Sequence, residues 1–502
     1  MKLRNVAALS ALGMVVCGSL AYVVTPDGLG SSADAATGDY PFLSRTGARR
    51  DDPLPGESEL GRFTAGSTLM MEGRAGHQRI LRGSSGQTFA LLEVTGAGEG
   101  RAATPQASHL SVVIDRSGSM RGTRIRNALS AATKAVQRLR DGDSVSIIAF
   151  DQKSEVIVPR TIIDGSSRSR VLSGIDRIGL GGDTCISCGI SEGLAQLGRT
   201  SEGASRMILL SDGDANRGLR DVGAFRSLGA TARNQGVSIT SVGVDVDFNE
   251  KLLAAVSTES NGRIVFVEND AALDRAFEDE TSRLTSTVAA DAEVTVELPS
   301  GVELVKVYDR SFQRSGRTLT VPLGSLGKGD IRTVLLELRA DARDEGVLPL
   351  VDVKMTYKDL TTGREGTCAG RLRIEATSDA NRVSALDPLV LARLQRAETA
   401  DVLREVNELV NQGKNAQARG RLEQSTRKLA TLAASAGKSE DRRAGDVKRD
   451  FEGQQASLEK AKGGIEGDGV AAAPGQASPP PIPRAVKARM KANAVDAFDN
   501  GF

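Results

Sequence analysis

Tryptophan is absent from this 502-residue chain, and aromatic residues make up only 3% of it. Any core must therefore be filled by aliphatic side chains. Only two histidines occur, His77 and His109, and neither lies near a cysteine in the sequence. Zinc chemistry and histidine acid–base catalysis thus lack their usual groups. Four cysteines are too few for a disulfide scaffold of this size. A charge excess is missing too, since 65 Lys+Arg against 64 Asp+Glu leave a net charge of +1. That balance argues against a nucleic-acid binder, which needs a basic face. After Val24 no apolar run is long enough to span a bilayer.

What is present suffices for folded domains. Hydrophobic residues reach 39% and charged residues 26%, and the length suggests about three domains at roughly 150 residues each. The chain opens with the basic Met1-Lys2-Leu3-Arg4, then runs uncharged from Val6 to Val24. Ala33-Asp34-Ala35 offers a small-x-small cleavage site, so 1–35 is expected to be a signal peptide or an N-terminal membrane anchor. Lipid attachment at Cys17 is a third option, disfavoured by Val16 where a small residue is expected. Each option places the rest of the chain outside the cytoplasm.

The body divides by pattern. Residues 36–66 carry Gly, Ser, Pro and charge without period and read as a linker. Short extended runs at 67–96 read as strands. From 109 to 287 buried-type strands such as Leu110-Ser111-Val112-Val113-Ile114 alternate with helical stretches. The first of these puts Ile125, Leu129, Ala132, Val136 and Leu139 on one face. Such alternation predicts an α/β, doubly wound, mostly parallel sheet, with ligands at the C-terminal strand ends. Residues 290–376 turn to period two, as at Val294/Val296/Leu298 and Val334/Leu336/Leu338, and predict a β-sandwich. The strands at 67–96 are expected to pair with it, leaving the α/β domain inserted in one discontinuous β domain. Residues 378–462 read as a helical hairpin with a weaker third helix, broken at Gln412-Gly413. Residues 463–502, with a proline run and a basic end, read as a disordered tail.

Three segments bring oxygen ligands to the expected binding edge. They are Asp115-Arg116-Ser117-Gly118-Ser119, Gly181-Gly182-Asp183-Thr184 and Ser211-Asp212-Gly213-Asp214. A divalent cation such as Mg²⁺ needs hard oxygen donors and keeps some of its waters. Three hydroxyls and two carboxylates would hold it and leave a position open for an acidic group.

Asp115-x-Ser117-x-Ser119, followed by Thr184 and Asp212, resembles the metal-ion-dependent adhesion site of von Willebrand factor A domains. The resemblance covers about 109–287, a third of the chain, and its three motifs follow the expected strands. It implies that Ser117, Ser119 and Thr184 touch a Mg²⁺ (or Mn²⁺ or Ca²⁺), with Asp115 and Asp212 acting directly or through water. This chain departs from the pattern at Cys185-Ile186-Ser187-Cys188, where relatives commonly carry Asn-Ile. If a helix opens there, Cys185 and Cys188 lie one turn apart and within disulfide reach. A structural clip, a reactive CxxC pair and inert reduced thiols all remain open. Cys368 reads as a core thiol.

Asp214, Asp245 and Asp247 also fall at strand ends and read as solvated loop acids, because no nucleophile–base pair accompanies them. The charged stretch Arg419–Arg443 reads as a solvated helix face. The leading expectation is a binding protein, not an enzyme: an exported bacterial protein holding a protein ligand that offers an acidic group. Two alternatives are an envelope scaffold working through its C-terminal helices and a thiol–disulfide protein using Cys185 and Cys188.

Overall fold

The computed structural model describes residues 60–97, 106–199, 203–267, 270–308, 310–436, 443–466 and 483–501. The expected leader at 1–35 and most of the 36–66 linker lie outside the described residues. Four strands come first: β1 (Arg62–Gly66), β2 (Leu69–Ala75), β3 (Arg79–Leu81) and β4 (Gln87–Gly96). β1 corrects the expected linker. Its Phe63 is buried, with its ring against Gly73 and Gly370, where any side chain would collide with it. One anchoring aromatic in a Gly-rich stretch leaves no periodicity to read.

The α/β region follows as β5 (Ser108–Asp115), α1 (Thr123–Arg138), β6 (Ser144–Phe150), β7 (Ser154–Ile162), α2 (Ser167–Ile175), α3 (Ile186–Leu197) and β8 (Ala204–Ser211). It continues with α4 (Val222–Asn234), β9 (Val237–Val244), α5 (Glu250–Glu259), β10 (Ile264–Val267) and α6 (Asp270–Thr285). The strand order is β10-β9-β8-β5-β6-β7, parallel except for β7. β5, β6 and β8 are buried at every position, because helices cover both faces of the sheet. α1 and α6 pack on one face, and α3, α4 and α5 on the other. The chain runs from β5 to β6 on one side, while β8 flanks β5 on the other. The crevice between the loops after β5 and β8 is a topological switch point.

A buried charge cluster ties α6 to this sheet. Glu280 is 1% exposed and accepts from Arg206 Nη1 at 2.8 Å and Thr240 Oγ1 at 2.8 Å, with Arg263 at 3.4 Å. Desolvation alone would raise its pKa, but Arg206 and Arg263 outweigh it and hold the carboxyl below its usual range. Glu280→Gln is therefore expected to cost about 3 kcal/mol at pH 7, since it leaves buried guanidinium charge unpaired. A depressed carboxylate contributes stability above its unfolded pKa and loses it as pH falls through the folded value. Urea unfolding should show the gap between wild type and variant closing below about pH 4.5.

Seven strands follow: β11 (Thr287–Glu297), β12 (Val302–Tyr308), β13 (Gln313–Ser315), β14 (Thr318–Gly327), β15 (Ile331–Ala340), β16 (Gly346–Asp359) and β17 (Arg364–Thr377). They form two sheets together with the first four, ordered β1-β2-β4-β15-β12 and β13-β14-β11-β16-β17-β3. β4 pairs antiparallel with β15 from Gln87↔Arg339 to Thr95↔Ile331, and β3 pairs parallel with β17. The facing sides share one aliphatic core, with Leu69, Met71, Leu92 and Leu336 opposite Val294, Val321, Val353 and Ile374.

Helices α7 (Pro388–Asn411), α8 (Asn415–Ala436), α9 (Ala444–Glu466) and α10 (Arg484–Gly501) complete the described chain. Asp387 caps α7 by accepting from the Leu389 and Val390 amides, and Gly413 ends it with φ 73°. α7 lays Leu389 and Val390 near Phe89, Leu91 and Leu335 on the outer face of β4 and β15. Arg393 bridges Glu93 and Asp450 at 2.7 Å each. Arg443, expected on a solvated face, instead ion-pairs Glu93 and Glu72. α10 corrects the expected disordered tail. Its apolar residues are sparse, but Val486, Met490 and Ala497 join the helical core, and tertiary packing supplies what local propensity lacks.

Candidate functional site

The site is built from three loops at the C-terminal edge of the central sheet. β5 ends at Asp115, and the chain turns at once through Ser117 and Ser119 into a 3₁₀ turn, Gly118–Met120. Asp115 is fully buried; one carboxylate oxygen accepts from the Ser117 amide at 2.9 Å and the other from Ser211 Oγ at 2.7 Å. That fixes the first turn against the end of β8. Ser117 Oγ lies 3.0 Å from Ser119 Oγ, and Ser119 Oγ donates to Asp212 Oδ1 at 2.6 Å.

The second loop is held from both sides. The Gly118 amide donates to Gly182 O at 2.9 Å, and the Gly181 amide to Arg116 O at 2.7 Å. Thr184 is buried, and its amide donates to Asn216 Oδ1 at 2.7 Å. Gly213 sits between the loops, where a β-carbon would lie 3.6 Å from Ser119 Oγ and 3.9 Å from Thr184 Oγ1. Ser117, Ser119 and Asp212 thus form a direct hydrogen-bonded group. Asp115 joins it through the Ser117 amide, and Thr184 approaches across Gly213.

Burial raises the pKa of both carboxylates. Asp115 is pushed up to about 6 by desolvation, against the opposing bonds from Ser117 and Ser211. Asp212 is raised by desolvation, opposed by Ser119 and Arg124. Two desolvated carboxylates and three hydroxyls, with no thiolate or imidazole, are the hard-oxygen set that suits Mg²⁺ or Mn²⁺. Among the described residues no cluster of three or more His, Cys, Asp or Glu is suited to a metal. Any site here therefore depends on its hydroxyls.

Arg124 went unnoticed in the sequence. It donates to Asp212 Oδ2 at 2.9 Å and to Ser119 O at 2.8 Å, and its other terminal nitrogen ion-pairs Asp245. Its one sequence signal is position: a cation in the first turn of α1 opposes the helix dipole and needs an acidic partner. Asp245 corrects the expectation of a solvated loop acid. It is 9% exposed, adopts φ 64°, and contacts both Arg124 and Arg484. Desolvation is outweighed there by the Val246 amide and the two arginines, which hold the carboxyl below its usual range. Asp214 remains a loop acid that accepts from Asn249 Nδ2 at 2.8 Å.

Cys185 and Cys188 are joined by a disulfide, with Cα atoms 5.3 Å apart at the start of α3. Cys185 is 1% exposed and its amide donates to Asp151 O at 2.7 Å. Gly218 (φ 68°) comes so close that a β-carbon would lie 2.6 Å from Cys185 Sγ, so the Cys185 side of the bridge is walled in while Cys188 is half-buried. Peptide mass spectrometry without reductant is expected to show the bridged segment and a free Cys368. Closing so short a loop limits the loss on reduction to about 2 kcal/mol. Cys368 packs against the β core, and desolvation pushes its thiol up to about 12.

Among the described residues no helix is long and apolar enough to cross a membrane. Residues 109–279 match the family model of the von Willebrand factor type A domain. Protein sll0103 of Synechocystis sp. is 26% identical over 267 residues, covering 51% of this chain and 63% of its own length. YfbK of Escherichia coli (strain K12) is also 26% identical, over 271 residues, covering 51% of this chain and 46% of its own. The chain thus spans less than two thirds of either curated relative. A solved structure described as von Willebrand factor type A from Catenulispora acidiphila superposes with a TM-score of 0.65. That match covers 81% of this chain and 91% of the other at 18% identity, a likeness of fold.

Proposed function

Residues 109–279 are a von Willebrand factor type A domain, and we propose that it is a binding module which holds an acidic group of a protein partner through Mg²⁺ or Mn²⁺. The observation that carries this reading is the convergence of Ser117, Ser119 and Asp212 at one strand-end edge, with Asp115 behind them and Thr184 opposite. Ser117, Ser119 and Thr184 would hold the cation, with Asp115 and Asp212 directly or through water, as at a metal-ion-dependent adhesion site. Bound there, the cation supplies an electrophilic position that a partner's carboxylate can fill.

This chain's own residues prepare that role. Ser211 and the Ser117 amide orient Asp115, while Ser119 and Arg124 orient Asp212. The basic start and uncharged run before Val24 support an exported protein acting at the bacterial envelope. A thiol–disulfide role is disfavoured by the burial of Cys185. The test is binding of a library of Asp- and Glu-containing peptides, read by fluorescence polarisation with Mg²⁺ or with EDTA. Binding that needs both the cation and Asp212 supports the reading. Binding that ignores EDTA and survives Asp212→Ala overturns it.

A further inference from the structure

Helix α10 lies on the rim of this site. Its Arg484, Lys487 and Lys491 are spaced i, i+3, i+7 and share one helix face. Arg484 ion-pairs Asp245 at 2.5 Å and Lys487 lies 3.8 Å from Asp247. Lys491 ion-pairs Glu250, donates to Phe248 O at 2.6 Å and sits 4.9 Å from the Phe248 ring centre. All four partners belong to one segment, the loop from β9 into the start of α5, at the edge that carries Asp115 and Asp212. The opposite face of α10 is anchored elsewhere: Val486 and Met490 enter the helical core, and Asn407 Nδ2 donates to Met490 O at 2.8 Å. α10 therefore joins the C-terminal helices to the α/β domain at its binding edge.

The ion pairs continue inward from there. Arg484 meets Asp245, Asp245 meets Arg124, and Arg124 meets Asp212, whose other oxygen is held by Ser119. Arg124 is shared between two carboxylates. While Arg484 neutralises Asp245, Arg124 is left to Asp212, the carboxylate a cation would use. Without Arg484, Asp245 draws Arg124 toward itself, and the site also loses nearby positive charge. Both effects favour a divalent cation at Asp212.

We propose that α10 is a built-in basic ligand of the β9–α5 loop that opposes cation binding, and that the site gains cation affinity when α10 leaves that loop. The metal reading above is its premise. Displacing α10 raises cation affinity, and by linkage a bound cation loosens α10.

Mn²⁺ calorimetry on the full chain, with amide exchange over 484–497, tests this. Arg484→Glu/Lys487→Glu/Lys491→Glu is expected to bind Mn²⁺ roughly tenfold tighter than wild type, within the usual range of coupling between sites. Saturating Mn²⁺ should speed exchange in wild-type α10. Arg484→Gln keeps both lysines and the apolar face, so it guards against misfolding of the triple variant, and is expected to shift affinity in the same direction by a smaller factor. Equal affinities, or exchange in α10 that ignores bound Mn²⁺, overturn the latch and leave the metal site standing. Absence of Mn²⁺ binding in wild type and variants alike removes the metal reading and the latch together.

Discussion

Titration of the full chain with Mn²⁺ is expected to show one site, which Asp212→Ala weakens by at least about a hundredfold. Losing a supporting hydrogen bond alone costs a metal site about 10–100-fold, and Asp212 supplies both a carboxylate and the anchor for Ser119. At a hundred times its dissociation constant the metal adds about 2.7 kcal/mol to stability, so thermal unfolding gives an independent reading. Asp115→Asn carries an opposite-signed pair of effects. It should lose the metal, yet without metal it should be the more stable protein at pH 7.5. The native state raises this carboxyl from 3.8 to about 6. A raised acid contributes stability only at low pH and loses it as pH climbs through the folded value. That rise corresponds to roughly 3 kcal/mol, which the neutral amide would recover. Asp214→Asn is the control, since Asp214 bonds Asn249 outside the group. Equal Mn²⁺ binding in wild type, Asp212→Ala and Asp115→Asn would end the claim for this site.

Asp115 and Asp212 were readable because Asp115 directly follows the apolar run Leu110–Ile114 and Asp212 follows Met207–Leu210 after one serine, and a strand that ends at a buried edge delivers its next residues to one place. Ser117 and Ser119 follow within one turn, so their spacing carries their placement. Asp245 also follows a strand directly, but nothing in its segment names its partners, and Arg124 and Arg484 follow no strand. Each belongs to a different element, Arg484 is 239 residues from its partner Asp245, and ion pairs between distant elements leave no periodic trace. The sheets divide the same way. Val334, Leu336 and Leu338 alternate along the chain and are all buried. β4 does not alternate, because helices cover one face of it and the β core the other, and it is buried from Thr88 to Val94. In α10 the weak local pattern was outvoted by ion pairs and packing from elements far away in sequence.

Residues 288–377 expressed alone are expected to aggregate, and to fold when a peptide of residues 60–97 is added. In the whole chain β4 lies beside β15 over nine paired residues, from Gln87↔Arg339 to Thr95↔Ile331. Removing β4 exposes that edge of β15, an association hazard. It also takes Phe63, Leu69, Met71, Leu92 and Val94 out of the shared core, together with the strands that carry them. At about 1.5–3 kcal/mol for each large apolar side chain, the loss is on the order of 10 kcal/mol. A domain's whole stability is about 5–15 kcal/mol, so the fragment cannot absorb it. The same pairing has a mechanical consequence. The chain enters the α/β domain after β4 and leaves it from α6 into β11 with only Ser286 between, so both ends are fixed in one pair of sheets. A movement of the whole domain would then be a tilt against that base, a hinge-type change, and the ion pairs of α10 with the β9–α5 loop would resist it. A fragment of 288–377 that unfolds cooperatively on its own, unchanged by the peptide, would show that the late strands are self-sufficient and would remove this base.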